Sequence, residues 1–369
     1  MRVGCAFNLE HAMGQSSQPS ADYQALLDAY TAPADRLLVE KLPDKAVRCL
    51  ACAHRCTLSP GQRGICRLRF NQDGELRVPY GYLAGLAVDP VEKKPFFHVL
   101  PGRSSLSFGM LGCNFRCDFC QNWQSSQALR DHDACTGLTP NTPEQVLALA
   151  QKNGLPALIS TYNEPLITSD WALALFEEAH AAGIKCGFVS NGFATPELLS
   201  RLLPFMDMFK VDLKCFTAEG YRKLGGRLAP VLDTITRLAA SDVWLEVVTL
   251  IVPGFNDDEK ELSAIAAFLA SLSPDIPWHI TGFRPQYRYQ DADATSADVL
   301  TRAWNIGRDE GLHFVYTGNT GLCRQAREHT LCPGCGILLI ERQGFFVVRN
   351  RLHQGRCPDC STSIPGLWH

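Results

Sequence analysis

The chain has 369 residues and a mass of 40.7 kDa, enough for two or three domains with a real core. Its 46% hydrophobic and 20% charged residues exclude wholesale disorder, and a net charge of −3 excludes nucleic-acid binding through phosphates alone. No run approaches the ~18 uninterrupted apolar residues of a membrane helix, and the opening segment Met1–Glu10 lacks the apolar stretch of a secretory signal. The expected setting is therefore the cytosol, without membrane or nucleic-acid partners, where thiols stay reduced. Sixteen cysteines then need explaining. Eleven fall in three tight clusters, while Cys5, Cys135, Cys186, Cys215 and Cys323 stand apart. Clustered thiols in a reducing compartment read as metal ligands rather than disulfides.

Residues 1–102 form an N-terminal Cys-rich extension, with a helix expected around Ala21–Tyr30 and short strands around Glu75–Tyr80. Its cysteines run Cys49-x2-Cys52-x3-Cys56-x9-Cys66, with His54 as an additional ligand type. Four thiols suit either zinc or an auxiliary iron–sulfur cluster. Spacing does not choose between them, and a structural zinc knob is the preferred reading.

Residues 103–320 alternate short apolar runs with helical patterns. Buried strands are expected at Ser105–Leu111, Pro156–Thr161, Lys185–Ser190, Met206–Asp212, Trp244–Val252, Trp278–Phe283 and His313–Thr317. Thr142-Pro143-Glu144-Gln145 offers an N-cap, a first-turn proline and a capping-box partner; Thr195-Pro196-Glu197 starts a second helix in the same way. Asp170–Ala182 should end at Gly183. Repeated strand–helix units imply a parallel α/β sheet with right-handed crossovers: a partial (β/α) barrel, with a doubly wound sheet as the alternative. In both, ligands sit beyond the carboxyl ends of the strands. The polar residues at those ends are Cys113 onward, Asn163-Glu164, Asn191-Gly192, Asp212-Leu213-Lys214, Pro253–Asn256, Arg284 and Gly318-Asn319.

Directly after the first of these strands comes Cys113-Asn114-Phe115-Arg116-Cys117-Asp118-Phe119-Cys120. Three thiols spaced x3 then x2 leave one metal position without a protein ligand. That is a defect in a structural zinc site and an opening for substrate in a catalytic iron–sulfur cluster. A zinc site completed from elsewhere is the alternative. Cys-x3-Cys-x-Phe-Cys resembles the motif of the radical S-adenosylmethionine (SAM) superfamily. The resemblance implies a [4Fe–4S] cluster on Cys113, Cys117 and Cys120, with SAM chelated at the fourth iron and a 5′-deoxyadenosyl radical abstracting substrate hydrogen. It also implies SAM contacts for Phe119, Asn163, Glu164, Asn191, Asp212 and Lys214. Of these, Glu164 pairs with the ammonium and Lys214 with the carboxylate, Asp212 orienting the lysine. Val252–Asp258 resembles a loop near the nucleoside, with a plain turn and helix cap as the alternative.

The stretch Val88–Gly102, the segment Gln121-Asn122-Trp123-Gln124 and Ile364-Pro365-Gly366 resemble the AmmeMemoRadiSam-system radical SAM enzymes, which are similar to pyruvate formate-lyase activating enzymes. That family implies functional association with AMMECR-type and Memo-type proteins and a flavodoxin- or ferredoxin-like electron donor. Lys93 reads as solvated and Trp123 as packing behind the cluster; Lys94 is left open between the cavity mouth and a solvated loop, and His98 between the cavity mouth and the core. Placing four cysteines before the motif, rather than after it, argues against a glycyl-radical activase, the runner-up. A multi-zinc partner-binding scaffold is the non-enzymatic alternative.

Residues 321–369 carry Cys332-Pro333-Gly334-Cys335 and Cys357-Pro358-Asp359-Cys360, flanking a hairpin expected from Ile337–Glu341 and Phe345–Arg349. Two such knuckles close a four-thiol sphere, a zinc-ribbon or rubredoxin-like module with zinc favoured over iron. A module this small depends on its metal to stay folded.

Overall fold

All seven apolar runs form strands of one sheet, and one strand from upstream joins them there. The computed structural model describes residues 19–134, 136–319 and 327–369, so Cys5, Cys135 and Cys323 lie outside the described residues. β1 (Gly85–Pro90) runs antiparallel to β2 (Ser104–Gly109). Beside β2 lie β3 (Ala157–Ser160), β4 (Lys185–Ser190), β5 (Met208–Asp212), β6 (Trp244–Ile251), β7 (Trp278–Gly282) and β8 (Val315–Gly318), each parallel to its neighbour. Spatial order equals chain order. A doubly wound sheet would reverse direction after its first strand, so that alternative is excluded and the singly wound, open barrel stands. β1 and β8 end the sheet and are not paired with each other.

Register aligns the carboxyl ends: Ser160 pairs with Phe188, Ser190 with Val211, Asp212 with Val248 and Thr281 with Gly318. One rim therefore collects the residues that follow every parallel strand. The crossover helices start where capping chemistry sets them. Helix α1 (Pro143–Lys152) has the full capping box between Thr142 and Gln145, and α2 (Ser169–Ala181) is followed by Gly183 at φ +73°. Rings of Phe108, Trp171, Phe176 and Phe188 pack between the sheet and α2 at centroid distances of 5.4 to 6.1 Å. Among the described residues no helix is long and apolar enough to cross a membrane.

The flanking regions are built into this body. β1 comes from upstream of residue 103, and the N-terminal knuckle docks through a Cys52–Ala194 bridge and the Ala53 amide on the Phe193 carbonyl (2.9 Å). At the other end, Thr330–Leu331, β9 (Leu338–Gln343) and β10 (Phe346–Asn350) make the expected antiparallel hairpin sheet. Arg342 of β9 is fully buried. It donates to the carbonyl of Phe97 (2.6 Å) and to Thr330 Oγ1 (2.8 Å), and lies 3.7 Å from the Glu92 carboxylate. The chain terminus returns alongside residues 98–100, Leu367 exchanging hydrogen bonds of 2.7 Å with His98 and Leu100.

Candidate functional site

A cavity of about 650 Å³ opens at the carboxyl ends of the parallel strands. Cys113, Cys117 and Cys120 all line it, and no other cysteine among the described residues does. Two glycines allow the cysteine loop to leave β2 as it does. A Cβ on Gly109 would lie 2.3 Å from the Thr161 carbonyl oxygen, and Gly112 adopts φ +83°. Asn163 fixes the loop from the next strand. It accepts from the Met110 amide (2.9 Å) and donates to the Leu111 carbonyl (3.3 Å), so its side chain is spent on backbone. Sulfur contacts are local: the Phe115 amide donates to Cys113 Sγ (3.3 Å), and Cys120 Sγ lies 3.2 Å from Ser126 Oγ. Phe119 is buried against Phe255 and Tyr289.

Glu164 begins the turn after β3 and is 3% exposed. Its carboxylate accepts from Ser190 Oγ (2.6 Å) and from the amides of Leu166 (3.1 Å) and Asn191 (2.9 Å). Burial nevertheless pushes it up to about 7, against those hydrogen bonds. Asn191 in turn donates to Asn114 Oδ1 (2.7 Å) and faces Cys113 Sγ at 4.0 Å. Asp212 lies between Lys210 and Lys214, each ammonium 3.3 Å from a carboxylate oxygen. Burial alone would raise Asp212, but the two lysines hold it below the usual carboxylate range. Burial opposes the charge on Lys214, yet Asp212 and the thiols of Cys117 and Cys120 outweigh it and raise its pKa. The predicted residues thus converge, with a cation placed beside two of the three thiols.

Several neighbours went unread in the sequence. Lys210, Glu246 and His279 are charged or titratable residues inside otherwise apolar strands, and that interruption was the available signal. His279 and Lys210 line the cavity, and Glu246 holds His279 Nε2 at 2.6 Å. Tyr162 sits at φ +73°, a conformation costing a non-glycine residue of order 1–3 kcal/mol. Its hydroxyl is 3.3 Å from both Asp89 and Lys94, and the Lys94 ammonium lies 4.5 Å from its ring centroid. Lys94 is buried on the cavity wall in an ion pair with Asp89 (2.8 Å), while the half-exposed Lys93 pairs with the other oxygen of Asp89.

His98 is a core residue, its ring nitrogens 2.7 Å from the Pro365 carbonyl and from Tyr316 Oη. Trp123 stacks on Tyr287 and does not line the cavity. The loop after β6 also stays off the cavity wall. Asp258 caps helix α3 (Glu259–Leu272), and Asn256 ties the loop to the carbonyls of Lys214 (2.7 Å) and Leu250 (2.8 Å). The turn-and-cap alternative describes this loop, with Asn256 positioning Lys214.

The C-terminal cysteines behave differently. Cys332 Sγ lies 3.5 Å from Cys360 Sγ, and Cys335 Sγ 3.7 Å from Cys357 Sγ, all four within 4.8 Å of one another. Neither the central nor the N-terminal set has three sulfurs that close.

Comparison with known proteins adds to this geometry. Residues 109–266, which carry the cysteine loop and the strand ends after it, match the model of the Radical SAM superfamily. An uncharacterised protein of Methanocaldococcus jannaschii is 36% identical over 335 residues, covering 89% of this chain and 98% of that one. The chain belongs to the radical SAM superfamily. Membership makes it an enzyme and implies a [4Fe–4S] cluster and SAM. Among named relatives, the benzylsuccinate synthase activating enzyme of Thauera aromatica is 24% identical, over 45% of this chain and 55% of that enzyme. The pyruvate formate-lyase-activating enzyme of Listeria monocytogenes is 27% identical over 49% of this chain and 77% of its own.

Proposed function

We propose that this radical SAM enzyme holds its [4Fe–4S] cluster on Cys113, Cys117 and Cys120 and binds SAM across the rim from Glu164 to Lys214. The observation that carries the reading is the donor set: three thiols share one cavity, with no fourth cysteine on its wall among the described residues, beside a lysine cation and a buried carboxylate. When bound, cluster and SAM supply one-electron cleavage of the sulfonium and a 5′-deoxyadenosyl radical that takes hydrogen from substrate.

The chain's own residues supply placement and charge. Glu164 is poised near neutrality by burial, so a SAM ammonium beside it would draw it fully to carboxylate. Lys214, held by Asp212 and by the Asn256 contact to its carbonyl, presents a cation to a carboxylate. Asn163 and Asn191 act on the cysteine loop, the first through its backbone and the second through Asn114. Phe119 supplies an apolar wall that limits water around the reacting atoms.

The C-terminal thiols match one tetrahedral ion, whose sulfurs stand about 3.8 Å apart for a Zn–S bond of ~2.3 Å. We therefore assign them a structural zinc in a ribbon-like module. The segments resembling the AmmeMemoRadiSam enzymes support a small-molecule or protein substrate, with AMMECR-type and Memo-type proteins as functional associates and a flavodoxin- or ferredoxin-like donor. Similarity to activating enzymes keeps a glycyl-radical activase as the second reading.

Anaerobic iron and sulfide analysis coupled to a 5′-deoxyadenosine assay tests the primary reading. Iron-free, colourless protein that leaves SAM intact would sink it and favour the multi-zinc scaffold. A glycyl EPR signal on a candidate partner protein, after incubation with reduced enzyme and SAM, would select the activase.

A further inference from the structure

We propose that Cys49, Cys52, Cys56 and Cys66 hold a second [4Fe–4S] cluster, separated from the Cys113 thiol by the side chain of Asn114; its adjacency to a first cluster rests on the function proposed above. This replaces the structural zinc knob preferred in the sequence reading.

The sulfur arrangement is the first argument. The four thiols line one pocket with Ala51, His54, Gly64, Ile65 and Arg69. They are unpaired as disulfides, and Cys49, Cys52 and Cys66 are buried. A single tetrahedral ion needs its sulfurs about 3.8 Å apart, as the C-terminal set has them. No three of these four sulfurs lie within 4.8 Å of one another. A four-iron cube seats each thiolate on its own iron and so holds the sulfurs farther apart. The three central sulfurs likewise do not all lie within 4.8 Å of one another.

The surroundings are built for thiolates. The buried Arg69 guanidinium donates to Cys49 Sγ at 3.8 Å and to the Ile167 carbonyl at 2.8 Å, with Asp170 pairing its far side. The Ile65 amide donates to Cys56 Sγ at 3.5 Å. Hydrogen bonds of this kind to cluster sulfurs stabilise the charge and tune the potential.

The third argument is position. His54 Nε2 lies 3.1 Å from the Asn114 carbonyl; a carbonyl only accepts, so Nε2 carries the proton. Asn114 Oδ1 faces Cys113 Sγ at 3.8 Å and takes the Asn191 amide. Its Nδ2, in a residue 1% exposed, has no oxygen or nitrogen partner and is left facing the Cys52 thiol, a weak acceptor. A cluster on Cys52 supplies sulfur acceptors on the side of Asn114 away from Cys113.

Metal counting on the full chain after anaerobic reconstitution with iron and sulfide decides the question. About eight irons and about one zinc per chain are expected, four irons for each cube. About four irons with about two zincs would overturn the second cluster. Replacing Cys113, Cys117 and Cys120 together by alanine should leave about four irons and four sulfides, with a reduced-cluster EPR signal indifferent to SAM. The Cys52→Ala/Cys66→Ala variant should keep about four irons and a signal that SAM shifts. A triple variant devoid of iron overturns the inference. Iron retained there, together with a wild type whose signals all ignore SAM, overturns the function proposed above and leaves the second cluster standing.

Discussion

The central and C-terminal cysteine sets use the same side chain for opposite ends. Cys332, Cys335, Cys357 and Cys360 bring four sulfurs within 4.8 Å of one another on a small hairpin. Cys113, Cys117 and Cys120 stand wider, line a large cavity and have a lysine cation and a buried carboxylate beside them. A closed set turns its binding energy into folding; an open set leaves coordination for a substrate. The difference lies less in the thiols than in what the scaffold puts opposite them: other thiols in one case, empty volume and charge in the other.

The largest effect should come from Cys117→Ala, which removes a thiol that no other cysteine on the cavity wall can replace. Central iron and 5′-deoxyadenosine formation should both disappear while C-terminal zinc stays. Retention of SAM cleavage would break the contrast between the sets. Cys335→Ala should do the reverse, releasing about one zinc per chain and lowering thermal stability without touching central iron. Equal loss of central iron in that variant would show the two sets are not independent.

How far the module depends on the barrel is read from Arg342→Ala. Removing this guanidinium leaves the buried Glu92 and the Phe97 carbonyl without their partner, at a cost of about 3–5 kcal/mol in urea unfolding. A cost under about 1 kcal/mol would mean the module is only loosely attached.

Acid should loosen the same junction. Burial holds His98 down to about 4, against the pull of Glu246, whereas in the unfolded chain a histidine titrates near 6.5. The unfolded state therefore binds the extra proton between those values. The contribution of His98, roughly 3 kcal/mol, is complete above about pH 6.5 and declines as pH falls towards 4. Glu246, held at about 2 despite burial by His279 and His98, starts to lose its own contribution only below about pH 4.5. The His98→Gln variant should show a flatter stability curve from pH 6.5 to 4; an unchanged slope would place the acid sensitivity elsewhere.

The smallest effect is Glu164→Gln, which keeps shape and removes charge. SAM affinity should fall about 10- to 100-fold, the worth of one charge-assisted hydrogen bond, with the iron content unchanged. Undiminished SAM binding by calorimetry would remove Glu164 from the site.

Much of this organisation was legible in the chain. Seven apolar runs, several bounded by glycine, proline or asparagine, became the parallel strands, and Thr142 with Gln145 set a helix start where expected. Polar residues after those runs reached one rim because parallel strands with right-handed crossovers all point the same way. The loop Val252–Asp258 shows the limit: its residues look like a ligand loop, yet Asn256 turns inward to backbone carbonyls and Asp258 caps a helix. Tyr162 is another case, since the sequence does not reveal that its ring lies against Lys94.

Sequence by itself determined the periodic features: strand and helix identity, the cysteine spacings and the side of the sheet on which chemistry would lie. These depend on local geometry, on which side chain follows which, and so are written along the chain. Tertiary structure alone decided the strand order, the close approach of the four C-terminal sulfurs, and the pairing of Arg342, Glu246 and His98 across distant segments. Those depend on how far apart folded segments come to rest, a quantity that residue spacing does not encode.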